Sequence, residues 1–276
     1  MNRFVCFCCF VTLAISMESD SQANLVFSSN FDGVQTTAGG VGAVWSGVTT
    51  LEPVQLYDGL GPAGNQFGGM FLVNSTGGLP SIGTSGLSTT LTLTNLPSHD
   101  AIDLDFLLGT INSWDGIDGF AGVTGDYFNV RVDGVEVFEA TFSQTSGSQL
   151  TDYQAPPGGQ IVGAANLYTV SAQVGDGAYD MGLEPALSNI PHTSSTATIE
   201  FIADGPGWQG ERKLFGVSSF IEQDEAWAID NLRVSVTAVP EPSSIVLIGL
   251  ISVFMWTIRS RQKLVALAFR LGSGFQ

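Results

Sequence analysis

The sequence predicts an all-β chain, an antiparallel β-sandwich of the jelly-roll kind, and three observations lead there. Strand-like runs recur between turn clusters. Asp133-Gly134 stands between two such runs, Tyr127–Val132 and Val135–Phe142, and Asp-Gly in that position is the strongest short-range hairpin signal. No stretch keeps an amphipathic helical period for more than about two turns. With 34 glycines and 13% charged residues in 276, the composition is that of a turn-rich globular protein. The 215 residues from 24 to 238 suit one domain of this class.

In chain order the strand candidates are Asn24–Phe31, Phe67–Val73, Leu87–Leu96, Ala101–Ile111, Tyr127–Val132, Val135–Phe142, Thr196–Ala203 and Ala226–Val236. Leu87-Ser-Thr-Thr-Leu-Thr-Leu-Thr alternates, as does Ala101-Ile-Asp-Leu-Asp-Phe, so those strands should have one wet face. In a jelly roll the first and last strands lie side by side. The turn at Asn30-Phe-Asp-Gly33 should therefore come near Ala226-Trp-Ala-Ile-Asp-Asn231.

Both ends fall outside this pattern. At the start, Arg3 precedes an apolar run, Phe4 to Ile15, and then Ser21-Gln-Ala23, the layout of a secretory signal peptide over residues 1–23 with cleavage after Ala23. Cys6, Cys8 and Cys9, the three cysteines, lie inside it, so the expected mature protein has no disulfide, no thiol nucleophile and no cysteine metal site. At the far end, Ile245 to Ile258 is apolar except for Gly249, Ser252 and Thr257. Its 14 residues fall short of the roughly 20 that a spanning helix needs. Pro240 and Pro242 nevertheless break continuity with the preceding strand. Ser243 and Ser244 can enter the membrane, and Arg259, Arg261 and Lys263 crowd the far side as the positive-inside rule requires, so a helix over about 243–258 is expected.

Val239-Pro-Glu-Pro-Ser-Ser244, the apolar run and the basic cluster together resemble the PEP-CTERM sorting signal of Gram-negative bacteria, over residues 239–263. The resemblance implies recognition by an exosortase, a membrane enzyme that processes its substrates near the Pro-Glu-Pro. Pro240, Glu241 and Pro242 would be the recognition element, and Arg259, Arg261 and Lys263 the stop-transfer cluster. The body would stand outside the inner membrane, held by the C-terminal helix, before release to the cell surface or extracellular matrix. Residues 264–276, LVALAFRLGSGFQ, extend beyond the usual end of such signals as a short cytoplasmic tail.

Net charge is −17, and 23 of the 26 acidic residues but only four of the nine basic ones lie between 24 and 238. Nucleic acid is thereby excluded as a partner, because phosphates must be neutralised by Lys and Arg. Divalent cations fit the charge, and so does a merely soluble exported surface. The motifs Asn30–Gly33, Ile111-Asn-Ser-Trp-Asp-Gly116, Gly125–Gly134 and Ala226–Asn231 are similar in layout to extracellular jelly-roll modules, galactose-binding-like and MAM-type, across most of 24–236. Such modules carry a structural calcium near the paired first and last strands, which nominates Asp32 and Asp230 as Ca²⁺ ligands. The alternative is that both aspartates hydrogen-bond turn backbone. Asp115, Asp118 and Asp126 lack the spacing of a twelve-residue calcium loop.

Trp45, Trp114, Trp208 and Trp227 are the aromatic candidates for stacking on sugar rings. Trp114 and Trp208, among Gly and Asp, are expected in loops as ligand-binding residues, and Trp227, alternating with Ile229, is expected in the core. His99 and His192 show no zinc spacing, no Gly-x-Ser-x-Gly elbow is present, and no motif singles out a carboxylate pair. The expected molecule is therefore a non-enzymatic structural or matrix protein, in contact with exopolysaccharide. A surface carbohydrate-binding module ranks second and a secreted glycan-active hydrolase third.

Overall fold

A computed structural model describes residues 23–77, 85–112, 114–117, 125–143, 153–165, 167, 175–208, 211–213, 221–223 and 225–238, together with 256 and 259. The chain divides into a compact unit, Gln22–Ala238, and a second unit formed by the two ends. Of the ends, Trp256 and Arg259 are described; both are helical and exposed. The signal-peptide segment and most of 239–263 lie outside the described residues. Among those that are described, no helix is long and apolar enough to cross a membrane.

The body consists of β1 (Ala23–Ser29), β2 (Gln35–Thr37), β3 (Gly42–Gly47), β4 (Thr50–Pro53), β5 (Met70–Asn74), β6 (Thr89–Thr94), β7 (His99–Asn112), β8 (Tyr127–Val132), β9 (Val135–Thr141), β10 (Gln160–Ala165), β11 (Asp176–Asp180), β12 (Ile190–Pro191), β13 (Thr196–Asp204), β14 (Glu211–Lys213), β15 (Ile221–Gln223) and β16 (Glu225–Ala238). Short 3-10 turns stand at Gln55–Tyr57, Met181–Leu183 and Pro185–Leu187. All eight expected strands form. Those the sequence did not announce are short and Gly-rich (β3, β10), very short (β2, β4, β12, β14, β15), or, like β11, buried throughout with no polar alternation.

Two antiparallel sheets face each other as a β-sandwich. The larger runs β10-β11-β7-β16-β1-β2, with β12 beside β7 and β5 between β16 and β4; the smaller runs β3-β6-β13-β8-β9. β8 and β9 turn at Asp133-Gly134, both with positive φ (51° and 77°), as the Asp-Gly pair predicts. The inner core places Phe106, Leu108, Trp227 and Ile229 of the large sheet against Leu91, Phe128, Ile199 and Phe201 of the small one. Ring centroids of Phe106 and Phe201 lie 5.4 Å apart, and those of Phe128 and Trp227 5.3 Å apart, tilted or edge-on as aromatic quadrupoles prefer.

A second, smaller core lies on the outer face of the large sheet. There Val54, Tyr57 and Phe67 cover Phe71, Val73, Leu107, Ile111, Ala226 and Ala228. Alternation along β7 and β16 sends neighbouring residues to the two cores, so Leu107–Asn112 is buried on both faces. The expected wet face holds along β6, at Thr90, Thr92 and Thr94, and on β7 only in its first half, at Asp103 and Asp105.

The long strand β16 changes neighbours midway. Residues 227–229 pair with β5 and residues 232–237 with β1, and at the change Asn231 takes a left-handed φ of 52° with a register shift beyond Asp230. The end of β1 and the start of β5 therefore meet along one edge of β16.

Candidate functional site

That meeting point holds the first predicted pair. Asp230 is buried, and its Oδ2 accepts the Gly68 N–H at 3.1 Å while its Oδ1 accepts that of Asn231 at 2.7 Å. Asp32 is exposed, on the turn after β1, and its Oδ1 accepts the Met70 N–H at 2.7 Å. An Asx turn presents it: Asn30 Oδ1 accepts the Asp32 N–H at 3.2 Å, and Phe31 and Gly33 both carry positive φ. The two carboxylates thus grip alternate amides of one strap, residues 66–70, and Asn231 Nδ2 ties down the strap by donating to the Gln66 carbonyl at 2.7 Å. Gly69 is required between them. Its φ is +62°, and a Cβ there would strike the Asp32 carboxylate.

Electrostatics at this junction follow from burial. Asp230 is pushed up to about 7, chiefly by desolvation and further by the negative charge of Asp32, against the pull of the Gly68 and Asn231 amides. Nearby on the same sheet, burial also raises Asp105 and Asp180, with Arg233 opposing it, 3.5 Å from Asp105. Among the described residues, no group of three or more Asp, Glu, His or Cys is disposed to hold a metal ion. Two carboxylates, each engaged with backbone amides, are what the junction offers.

The tryptophan expectation is corrected. Trp114 and Trp208 are not loop platforms but fully buried core residues. Their rings pack against each other with centroids 5.3 Å apart, Trp114 Nε1 donates to the Ala226 carbonyl at 2.7 Å, and Trp208 Nε1 donates to the Thr76 carbonyl at 3.0 Å. Gly and Asp neighbours signalled the local turns correctly, but both indoles turn inward, where their large apolar faces are buried and a carbonyl accepts each N–H. Trp227 is buried as expected. Trp45 is the half-buried one. It sits on edge strand β3, against Phe27 and Phe31, in a cleft of about 280 Å³ whose walls include Ser29, Gln35, Thr49 and Leu51.

The sequence also missed the histidines. His99, at the start of β7, and His192, just after β12, are both buried and stacked, with ring centroids 5.0 Å apart. His99 Nδ1 lies 2.6 Å from the Pro97 carbonyl, its Nε2 lies 2.7 Å from His192 Nδ1, and His192 Nε2 lies 3.0 Å from Asp133 Oδ2. No local motif announces a pair 93 residues apart. The pairing of β12 with the start of β7 makes it, since Ile190 and Pro191 lie opposite Ile102 and Ala101.

Asp115 and Asp126 clasp each other, the Asp115 N–H donating to Asp126 Oδ2 at 2.6 Å and the Asp126 N–H to the Asp115 carbonyl at 3.0 Å. Asp118 lies outside the described residues, as do Pro240, Glu241, Pro242, Arg261 and Lys263.

No protein-family model matches the chain, and no curated protein matches it. Among solved structures the chain is similar to one described as the structure of infectious bursal disease virus, Gx strain, at 11% identity and a TM-score of 0.21. That alignment covers 76% of this chain and 37% of the other, and a likeness at that score carries no argument.

Proposed function

We propose that this is an exported, surface-sorted, non-enzymatic structural or matrix protein, processed by an exosortase-type enzyme at its C-terminal signal. The observation that carries the reading is the junction of sequence and fold at one residue: β16 ends at Ala238, and Val239-Pro-Glu-Pro follows at once. A processing enzyme would thus meet its recognition element directly beyond the folded body. The adjacency of first and last strands, β1 beside β16, supports the jelly-roll form of the sandwich. The test is the intact mass and membrane fractionation of protein from its own host. A wild-type mass ending near Pro240–Pro242, with Pro240→Ala/Pro242→Ala retained uncut in the inner membrane, is the expected result. Full-length protein in both would leave a plain membrane anchor.

A structural Ca²⁺ at Asp32 and Asp230 belongs to the same reading. Asp230, desolvated beside a second carboxylate, is where positive charge is stabilised, and a divalent cation would compete there with a proton. Raising the melting temperature at pH 7.5 with millimolar Ca²⁺, and losing that gain in Asp32→Asn, is the expected outcome. An unchanged melting temperature removes calcium from the reading.

One observation favours carbohydrate binding as a second reading. The Trp45 cleft opens at the edge of the sandwich and combines an aromatic wall with the polar side chains of Ser29, Gln35 and Thr49, at a size near the lower end for small-ligand sites. Affinity electrophoresis of the full chain through a polysaccharide panel tests it. Retardation lost in Trp45→Ala supports a glycan subsite, and mobility unchanged on every glycan rejects it.

A further inference from the structure

The acidic charge of the body is unevenly spread, and its gap coincides with one edge of the sandwich. Of the 23 acidic residues between 24 and 238, 20 lie beyond residue 98, while residues 33–98 carry two charged side chains, Glu52 and Asp58. Residues 33–51 carry none. That uncharged stretch builds β2, β3 and the start of β4. β3 ends the small sheet, beside β6, and β2 and β4 end the two branches of the large sheet.

An edge strand presents unpaired N–H and C=O groups, and proteins guard such edges with charge, proline, bulges or brevity. At the other end of the small sheet, β9 carries Glu136 and Glu139, both exposed. β2 has three residues, β4 contains Glu52 and Pro53, and β10, at the far end of the large sheet, is broken by two register shifts. β3 has none of these devices. Its six residues, Gly42-Ala-Val-Trp-Ser-Gly47, include no charge and no proline, and they pair with β6 in an unbroken register. Val44 on its outer face is 64% exposed, and Val34 and Leu51 are exposed at the cleft beside Trp45.

We infer that β3 is a self-association edge, on which two copies of this chain pair antiparallel across a two-fold axis and join their five-stranded sheets into one. Charge selects a second copy as the occupant. A basic partner would be drawn to the acidic faces, whereas two copies of this acidic body repel except where charge is missing. Along this edge the nearest carboxylates are Asp32, whose Oδ1 accepts the Met70 N–H, and Glu52 of β4. On the small sheet the nearest is Glu200, two strands inward from Ser46 and ion-paired with Arg131. The inference stands apart from the sorting and glycan readings, because it concerns the backbone edge of β3.

Geometry fixes the register. Opposite residues of an antiparallel pair share a face, so the axis must pass where a residue meets its own counterpart. Centred on Val44, the pairing sets valine against valine on the outer face and Ala43 against Trp45 on the inner one. Centred on Trp45, it would set the exposed valine against Ser46.

The first experiment is disulfide trapping in the full chain. Val44→Cys is combined with Cys6→Ala, Cys8→Ala and Cys9→Ala, so that the new thiol stands alone, and Val135→Cys in the same background, 65% exposed at the β9 edge, is the control. Under mild oxidation Val44→Cys should give a band at twice the mass of the reduced protein and Val135→Cys none, since such opposed Cα atoms lie about 4.5–5.5 Å apart, within disulfide reach. No such band, equal bands from both variants, or a band of another mass from Val44→Cys overturns the proposal.

The second experiment reads the pairing without a cross-link. Sedimentation of the wild-type full chain in a non-ionic detergent should show a monomer–dimer equilibrium that moves toward dimer as salt rises from about 0.02 to 0.5 M, because screening weakens repulsion between the acidic bodies. Val44→Lys, which puts a charge on each side of the axis, should lose the dimer and keep the wild-type melting temperature. A wild-type monomer at every salt concentration, or a dimer that Val44→Lys leaves intact, refutes the β3 edge.

Discussion

The carboxylate junction at Asp230 and the histidine chain at His99 both join segments remote in sequence, 162 residues apart between Gly68 and Asp230 and 93 between His99 and His192. Each has a buried ionisable group facing the solvent through an exposed aspartate, Asp32 in one and Asp133 in the other. They differ in what satisfies the buried group. At the junction, backbone amides of the strap and of β16 do it, and they donate whether or not a proton is present. In the histidine chain only side chains and one carbonyl meet, so each hydrogen bond depends on which ring nitrogen carries a hydrogen. Backbone donors make a buried acid tolerable; side-chain partners make the placing of their hydrogens part of the structure.

The largest expected effect separates the two by pH. Asp230 sits near 7 in the folded state and near 4 in the unfolded chain, so between those values the folded state binds more protons. The contribution of Asp230 to stability therefore falls as pH rises from about 4 to 7 and levels off above, by on the order of 3 kcal/mol. Urea unfolding across that range should show the slope in wild type and a shallower one in Asp230→Asn, where Asp105 and Asp180 are still raised by burial, whereas Asp133→Asn should keep it. A slope unchanged by Asp230→Asn would place the titration elsewhere.

Gly69→Ala attacks the strap itself. The added methyl meets the Asp32 carboxylate in a backbone conformation that L side chains rarely adopt, and a loss of about 2–3 kcal/mol is expected by denaturant unfolding. Partial recovery in Gly69→Ala/Asp32→Ala would show that the carboxylate is the obstacle. Asp133→Ala, which removes the partner of His192 and of the Thr198 N–H, should cost about 1–2 kcal/mol, less because the site is partly wet. Arg131→Ala touches neither site. Its three ion pairs lie on the surface, and a change under about 1 kcal/mol is expected, weaker still at high salt.

Much of the architecture was legible in the chain. Alternation along Thr89–Thr94 gives a strand buried on every second residue, and Asp133-Gly134 makes the turn it announces. The convergence of Asp32 and Asp230 was legible too, through the expectation that first and last strands pair. The tryptophans were misread, because a turn-forming neighbourhood says where the backbone bends and not which way an indole points. Trp114 and Trp208 lie beside turns and still bury completely. The histidines were not legible as a pair at all, since each sits in an ordinary local context and only strand pairing stacks them.

What the sequence determined by itself is whatever depends on neighbours along the chain: period-two strands, Asp-Gly and Asn-x-Asp-Gly turns, the acidic body, and the Pro-Glu-Pro segment that follows the last strand. Tertiary structure alone decided which polar groups share a partner. It set Asp230 on the amides of a strap brought by β5, and His192 between His99 and Asp133. The physical reason is that register and sheet-to-sheet packing fix these meetings, and both are properties of contacts among segments that no single segment encodes.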